Sequence, residues 1–523
     1  MHRSNGDASG RSITAAGADF LQLNLAEAPV GGMSAWLADR LRRAIADGSL
    51  PVGSRLPATR VLAAELRVSR GVVTEAYQRL TEDGHVAGRR RGGTIVVASP
   101  VLPLDRAQGA GARPGVLGRV RAADRAPAPA PAPAPDRLPA PAQGVFTTTP
   151  SPDVFDALRA APARINLAPG VPDLAAFPRA AWLRAERAVL HELSAYDLGY
   201  GDPRGAPELR RAVADWLARN RGFRARPDEV VITSGTAQAF GLIAEVLRER
   251  DGVTAMAVED PGALGARQHL ADRRLRTPAV PVDAEGVRVD ALRATGAPAV
   301  LLTPAHQFPT GVVLSGARRR ELMAWATGTG GLIVEDDYDA EHRYDRPPVP
   351  ALRSVLPDHV CYAGSVSKLL APALRTGWMV PPPAYREALV DAKRFADLGN
   401  AVLPQLVLAR LMESGAMERH LRLLRRRHRQ RRDAMIGAIG AHLPGAVVHG
   451  AAAGLHLTVT FDGRFPDTEL AAAALARGVK TQPLSWHRQS PGPPGLVLGY
   501  AAGAPTAIGE GVALIGAALR EVA

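Results

Sequence analysis

The sequence predicts a two-domain chain: a small, mainly helical N-terminal domain with a β wing, then a large α/β domain. Three observations predict it. Residues 34–97 hold three short amphipathic segments followed by a hairpin pattern with an arginine-rich tip. Residues 126–135 strictly alternate Ala and Pro, which gives a stiff, extended, non-folding spacer. From Ile165 onward, short apolar runs alternate with helical stretches, the pattern of a mainly parallel sheet covered by helices. The boundaries predicted are 19–98, 99–164 for the connector, and 165–523.

Composition limits the class of protein. A chain of 523 residues with 46% hydrophobic content can bury at least two cores. No run of 18 apolar residues exists, and Met1-His2-Arg3-Ser4-Asn5-Gly6 lacks the apolar centre of a signal peptide. A cytoplasmic location is expected. The single cysteine, Cys361, excludes an internal disulfide and sits in an apolar run that favours a buried thiol. The formal net charge of +13 favours anionic partners.

Residues 1–18 are polar and small, the composition of a disordered arm. Ser34 then opens a helix with Trp36, Leu37, Leu41, Ala44 and Ile45 at helical spacing, and Asp47-Gly48 stops it. Thr59 caps a second helix carrying Val61, Leu62 and Leu66. Val68 and Ser69 make a turn, with Ser69 capping a third helix through Leu80. A two-stranded wing follows, its tip at Gly88-Arg89-Arg90-Arg91-Gly92-Gly93. This is the order of a winged helix-turn-helix. Its third helix would enter a DNA major groove by its N-terminal end, presenting Ser69, Arg70, Gly71 and Thr74. Eleven arginines, no lysine and six acids over 34–97 give this segment +5.

In the large domain, chemistry clusters at predicted strand ends. Val230-Val231-Ile232-Thr233 leads into Ser234-Gly235-Thr236-Ala237-Gln238, a turn opening a helix whose free N–H groups suit a phosphate. Leu332-Ile333-Val334 leads into Glu335-Asp336-Asp337-Tyr338-Asp339. There Asp336 can hold a pyridine nitrogen protonated and Tyr338 can bond a ring oxygen. His359-Val360-Cys361-Tyr362-Ala363 ends at Gly364 and runs into Ser365-Val366-Ser367-Lys368, with Arg375 seven residues beyond the lysine. A lysine in a pocket that disfavours its charge suits a Schiff base. Ser365, Ser367 and Arg375 can hold a phosphate, Arg375 lying about two helical turns on. Further along, residues 419–432 carry eight arginines and no acid. Leu421, Leu423 and Leu424 make that segment an amphipathic helix with a solvated basic face, and a second DNA site is its other reading.

Two resemblances follow from these residues. Leu56-Pro57-Ala58-Thr59-Arg60, Val68-Ser69-Arg70-Gly71-Val72-Val73 and the wing, in that order, resemble the GntR superfamily of bacterial regulators. That resemblance implies DNA contacts by Arg60, Arg70 and the wing arginines Arg89, Arg90 and Arg91. The Lys368, Asp336–Tyr338 and Gly235-Thr236-Ala237 motifs resemble fold type I pyridoxal-phosphate enzymes of the aminotransferase class. Joined by a long connector, with His306-Gln307-Phe308-Pro309-Thr310-Gly311 between the motifs, the two halves resemble the MocR subfamily of regulators. The resemblance implies pyridoxal 5'-phosphate held on Lys368 and transcription control by the cofactor or an amino compound, in the manner of PdxR-like members. It also implies a homodimer in which Tyr200 reaches the partner's cofactor phosphate. An active aminotransferase tethered to DNA is the competing reading. Two departures weigh against it. Glu259-Asp260-Pro261-Gly262 is followed by Ala263 where many relatives place an aromatic residue, and Val497 stands where the substrate-carboxylate arginine falls. Arg488 is the nearby candidate to replace that arginine. No metal is expected.

Overall fold

The computed structural model describes residues 28–29, 32–46, 50, 53–82, 85–89, 93–97, 144–147, 149–344 and 350–522. The chain divides into two compact units, Met1–Pro141 and Ala142–Ala523. The arm over 1–18, the Asp47-Gly48 stop, the Ala-Pro run and the wing-tip residues Arg90 and Arg91 lie outside the described residues, as does the side chain of Arg89.

The small unit holds α1 (Met33–Ala46), α2 (Thr59–Glu65) and α3 (Arg70–Glu82), then β1 (Val86–Arg89) antiparallel to β2 (Gly93–Val96). Leu37, Leu41, Ile45, Leu62, Leu66, Val73, Tyr77, Leu80, Val86 and Val96 form one buried cluster. They recur at three and four residues along the helices, so each helix turns one stripe inward. The capping differs from expectation. Helix α1 already includes Ser34, its first turn fixed by Trp36 N–H on the Gly32 carbonyl at 3.0 Å. Ala58, not Thr59, precedes α2, and no side chain caps that helix. Ser69 does accept from Val72 N–H, at 3.4 Å, where α3 begins.

The large unit opens with α4 (Val154–Ala160), β3 (Ile165–Asn166), α5 (Arg179–Glu192) and α6 (Pro207–Asn220). Then come β4 (Val231–Thr233), α7 (Thr236–Asp251), β5 (Ala257–Asp260), α8 (Leu264–Asp272), β6 (Ala279–Asp283), β7 (Gly286–Val287), α9 (Val289–Thr295) and β8 (Ala299–Leu302). They are followed by α10 (Gly316–Thr329), β9 (Leu332–Asp337), β10 (Val360–Ser365), β11 (Gly377–Val380), α11 (Pro383–Asp397), α12 (Val402–Glu413) and α13 (Ala416–His442). The terminal lobe holds β12 (Val447–His449), β13 (His456–Thr460), α14 (Asp467–Ala476), β14 (Val479–Lys480), β15 (Gln482–Pro483), β16 (Gly495–Gly499) and α15 (Pro505–Val522).

The main sheet has the order β4-β11-β10-β9-β8-β5-β6-β7. Its central pairs, β10–β9, β9–β8, β8–β5 and β5–β6, are parallel, and β11 runs antiparallel between β4 and β10. Every residue of β10 is buried, as a parallel strand covered on both faces requires. Parallel strands end on one edge, so Thr233, Asp260, Leu302, Asp337 and Ser365 all arrive at the same rim. Ligands bind outside that rim in open α/β sheets.

The second sheet, β12-β13-β16-β15, is antiparallel and packs in a core with α14 and α15. Val145, Phe146, Val154, Phe155 and Leu158, in a stretch drawn as connector from composition, belong to this core. Phe146 stacks on Trp486 at 5.4 Å between centroids, and Trp486 Nε1–H donates to the Thr147 carbonyl at 3.1 Å. Val154 and Leu158 of α4 are buried in the same cluster. The connector composition hid a helix whose apolar residues needed a partner surface some 300 residues away in sequence.

Candidate functional site: a lysine pocket at the sheet rim and an exposed recognition helix

The pocket is built from strand ends. Lys368 follows β10 by three residues, and its ammonium donates to the Gly170 carbonyl. Burial lowers the lysine's pKa, and the opposing fields of Asp339 and Asp336 do not cancel that effect. A lysine poised this way carries a free amine more readily than a solvated one. Asp336 sits at the end of β9. Burial pushes its carboxyl up to about 8, helped by Asp337 and Asp339. Its Oδ1 is buried and has no hydrogen-bond partner. An acceptor left bare inside a pocket is a receptor for a cationic or N–H-bearing ligand.

Tyr338, two residues on, donates to the His306 carbonyl at 3.2 Å, and His306 Nδ1 lies 3.1 Å from the phenol oxygen. The same Nδ1 is 2.9 Å from Asp339 Oδ2. Burial opposes ionisation of Asp339, but the facing His306 ring outweighs it and holds the carboxyl below the usual range. Burial, then Asp339 and Asp336, keep the Tyr338 phenol protonated, well above its ordinary range. His456 closes the group, its ring 5.3 Å from that of His306 and 4.9 Å from that of Phe308. Burial drives His456 down to about 3, so it is neutral. Among the described residues, His306, Asp339 and His456 bring donor atoms within 4.8 Å of one another, a spacing a metal ion can use. The His306–Asp339 hydrogen bond, with His456 packed on the His306 ring and bonded to the Pro309 carbonyl at 3.1 Å, instead makes them a frame that fixes Tyr338. Gly454, at φ +83°, allows this approach: a Cβ there would stand 2.0 Å from His306 Cε1.

The turn expected to cradle a phosphate lies at the end of β4. Helix α7 starts at Thr236 after Gly235, which has φ +91°. Its first amides, those of Thr236 and Ala237 among them, have no intrahelical acceptor and face the rim. Arg375 brings its guanidinium to this turn and donates to the Ser234 carbonyl. A Cβ on Gly235 would come within 3.6 Å of it. Ser365 Oγ donates to Ser367 Oγ at 2.8 Å and accepts from Ser367 N–H at 3.0 Å. The route to Arg375 differs from the helical one expected. Residues 372–374 form a single 3-10 turn, and Arg375 takes a left-handed conformation at φ +46°. That conformation is uncommon for a non-glycine residue and turns the arginine back to the cradle. Gly377 then starts β11 against Gly235, where a Cβ would stand 2.8 Å from the Gly235 Cα.

Sequence reading missed the groups that steady this cradle. Asn400 Nδ2 donates to Ser234 Oγ at 2.6 Å. Gln238 accepts from Ser234 N–H at 2.7 Å and donates to Asp397 at 2.6 Å, while the buried Lys393 bonds Asp397 at 2.9 Å. Asn400, Lys393 and Asp397 lie in or near helices whose sequence carries no motif, and Gln238 ends the Ser234-Gly235-Thr236-Ala237 turn without a role assigned to it from sequence. His456, and His487, whose ring lies 5.0 Å from that of Phe308, were also missed. The alternation His456-Leu457-Thr458-Val459-Thr460, polar residues on one face of a strand, was the signal that could have found the first.

Other expected residues fall elsewhere. Tyr200 is 95% exposed, beside exposed Tyr196 and Leu198, and lines a groove with Val189, Leu193, Val402 and Leu406. Val497 is fully buried in β16, paired with Thr458 and Gln482. Arg488 donates to the Pro493 carbonyl and folds over Gly492, within its own loop. Ala263 precedes α8, and Arg267 of that helix donates to the Trp486 carbonyl at 2.7 Å.

In the small unit, Arg60, Ser69, Arg70, Gly71 and Thr74 are all exposed. Arg70, Gly71 and Thr74 share one face of α3 with exposed Gln78, opposite the buried Val73, Ala76 and Leu80. Arg67, exposed in the turn at φ +52°, adds a cation that sequence reading passed over.

Known proteins share both halves. Residues 34–96 match the gntR family of bacterial regulatory proteins, and residues 163–488 match aminotransferase class I and II. The probable rhizopine catabolism regulatory protein MocR of Rhizobium meliloti is 30% identical over 91% of this chain and 91% of its own. The pyridoxine biosynthesis transcriptional regulator PdxR of Corynebacterium glutamicum is 29% identical over 89% of this chain and 91% of its own. Among solved structures, the α-aminoadipate aminotransferase LysN of Thermus thermophilus, complexed with N-(5'-phosphopyridoxyl)-L-leucine, is similar with a TM-score of 0.65. It is 28% identical and covers 73% of this chain and 96% of its own. Pyrococcus horikoshii kynurenine aminotransferase in complex with PMP is similar with a TM-score of 0.64, 27% identity, and coverage of 71% and 93%.

Proposed function

The chain belongs to the MocR-type regulators, gntR-family winged helices fused to a class I and II aminotransferase domain, and we propose that its large unit holds pyridoxal 5'-phosphate as the ligand that sets DNA affinity. One observation carries this: the buried, unpartnered Asp336 Oδ1 beside a lysine whose charge is disfavoured. That pair has nothing to do in a merely structural core. It fits a phosphorylated pyridine aldehyde at both ends. Lys368 would hold the aldehyde carbon, Asp336 the ring nitrogen and Tyr338 the ring oxygen. Gly235, Thr236 and Ala237 amides, with Ser365, Ser367 and Arg375, would hold the phosphate. When bound, the cofactor supplies an electron sink for amines.

The residues of this chain do the rest. Asp336 ionises when a protonated ring nitrogen is set against it, which repays the cost of burying it. Asp339 and His306 keep the Tyr338 phenol oriented, and burial, then Asp339 and Asp336, keep it protonated. Lys393, Asp397 and Gln238 hold the Ser234 turn open toward the phosphate.

A dimer is the natural carrier of the signal. The exposed Tyr196, Leu198 and Tyr200, with Leu183 and Leu190 of α5, are large apolar groups left in solvent by one protomer. Tyr200 would reach a partner's phosphate site from there. Two winged helices then match or miss half-sites spaced one helical turn apart (~34–36 Å). Coupling of about 1–3 kcal/mol, or ~5–150-fold in DNA affinity, is the usual scale.

The test is a titration of DNA from the protein's own upstream region with apo and cofactor-loaded protein. The expected result is a change in DNA affinity, with the same factor in cofactor affinity when DNA is present. Equal affinities for apo and loaded protein would remove the sensor reading. The tethered-aminotransferase reading keeps Lys368, Asp336 and Tyr338 in its favour. Against it stand Val497, buried where the clamp arginine is expected, and Arg488, bound within its own loop. Turnover with a panel of amino acids decides between the two.

A further inference from the structure

Helix α13 carries the arginine run, and the fold sorts its cations into two sets. Most are turned inward as carbonyl and carboxylate ligands. Arg427 and Arg431 pair with buried Asp173 at 2.7 and 2.8 Å. Arg425 Nε–H donates to the Glu341 carbonyl at 3.0 Å, and Arg432 to the Ala451 carbonyl at 3.0 Å while lying over the Tyr344 ring. Arg429, though exposed, donates to the Tyr344 carbonyl. These five lock the long helix onto the two lobes it joins.

Three are left outside. Arg419, Arg422 and Arg426 are exposed. Arg419 reaches only the Ser414 carbonyl, at 3.3 Å. Arg422 and Arg426 make no hydrogen bond or ion pair among the described residues. The neighbouring acids are committed elsewhere, Glu418 to Arg219 and Asp433 to Arg432. At ~100° per residue the three fall within about 60° of one another around the helix. They sit opposite the buried arc of His420, Leu421, Leu424, His428 and Arg431. Leu423 also stays partly in solvent, at 39% exposure, so the inward apolar contacts are made by Leu421 and Leu424.

Like charges at three and four residues repel along a helix. A fold that used its other arginines as internal ligands has kept these three aligned, unneutralised and pointing outward over about 10 Å of helix. A duplex presents one phosphate charge per ~1.7 Å of axis, so such a stripe spans several phosphates. We propose that the outward stripe of α13, Arg419, Arg422 and Arg426, is a second DNA-contacting surface that grips the phosphate backbone without reading sequence. It adds to the winged helix, which supplies the base contacts.

The experiment uses the full chain and its triple variant Arg419→Gln, Arg422→Gln, Arg426→Gln on a long mixed-sequence duplex between about 50 and 200 mM salt. The slope of log affinity against log salt should fall by about 0.9 for each phosphate no longer neutralised, up to about 2.7. The single variant Arg426→Gln should lower it by about 0.9, which guards against a triple variant that folds poorly. The visible absorbance of the cofactor-loaded protein should be the same in all. A triple-variant slope equal to the wild type's overturns the proposal. So does an unchanged slope with lost binding to phosphatidylserine vesicles, which would make the partner a membrane surface. A wild type that bound no duplex would instead fail the regulator reading, so the two failures are distinct.

Discussion

The exposed face of the small unit's third helix and the lysine pocket of the large unit are made in opposite ways. Arg60, Arg70 and Thr74 stand exposed on one short stretch of chain, over a core of aliphatic residues that asks nothing of them. Gly170, Asp336, Tyr338, Lys368 and His456 come from segments nearly 300 residues apart, and their polar atoms bond groups distant in the chain or are left buried and bare. A surface that reads DNA needs side chains free to find phosphates and base edges. A pocket that holds a small cofactor needs groups whose charge is governed by burial and answers to the ligand. Truncating one should therefore change binding alone, while truncating the other should change binding, stability and pH response together.

The largest expected effect lies in the pocket. Lys368→Ala should abolish the visible absorbance of the cofactor-loaded protein and leave DNA binding by the apo protein intact, measured by spectrum and titration. Retained absorbance that borohydride traps on another lysine would reassign the attachment point. Next is the pH response. The Asp336 carboxyl sits at about 8 in the folded apo protein against an ordinary 3.8. Between those values the folded chain holds a proton that the unfolded chain releases, so this group's contribution to stability falls as pH rises through the window. Asp336→Asn removes that fall. Its apo Tm, compared with wild type, should improve steadily from about pH 4 to about pH 8. Glu259 and Glu335, also raised to about 7 by burial, act in the same direction but cancel in the difference. A Tm difference that is flat across the window would place Asp336 outside the buried set.

Arg375→Ala should weaken cofactor affinity by about 1.5–3 kcal/mol, the scale of a charge-assisted hydrogen bond, read by equilibrium dialysis. Unchanged affinity would take Arg375 out of the phosphate cradle. On the other side of the comparison, Arg70→Ala should cost about 1–3 kcal/mol in DNA affinity and relax preference at one base pair. It should leave Tm and the cofactor spectrum where they were. A loss of stability in that variant would mean that the small unit's exposed face is not as independent of its core as the structure draws it.

The two regions also differed in what could be read beforehand. Helical spacing of Leu37, Leu41, Leu62, Val73 and Leu80 was enough to place three helices, because a small core is made by nearest neighbours in sequence. The strand-end motifs around Gly235, Asp336 and Lys368 were legible for a related reason: parallel strands deliver their C-terminal ends to one rim, so each motif marked its own place. Arg375 was expected two helical turns beyond Lys368, and it reaches the Ser234 turn by a different route. Its left-handed backbone depends on the β10–β11 connection, not on local helix propensity.

What the sequence determined by itself was the pair of fold types, their order, the family and the placing of each short motif at a strand end, since these rest on periodicity and short motifs. Tertiary structure alone decided four things. It drew Phe146, Val154 and Leu158 out of the connector and into the C-terminal core. It made His306, Asp339 and His456 the frame of Tyr338. It buried Val497 and tied Arg488 to its own loop. It also divided the arginines of α13 into internal ligands and an outward stripe. Each of these depends on burial and on partners distant in the chain, and burial is what changes the energy of a charge or of an unmade hydrogen bond.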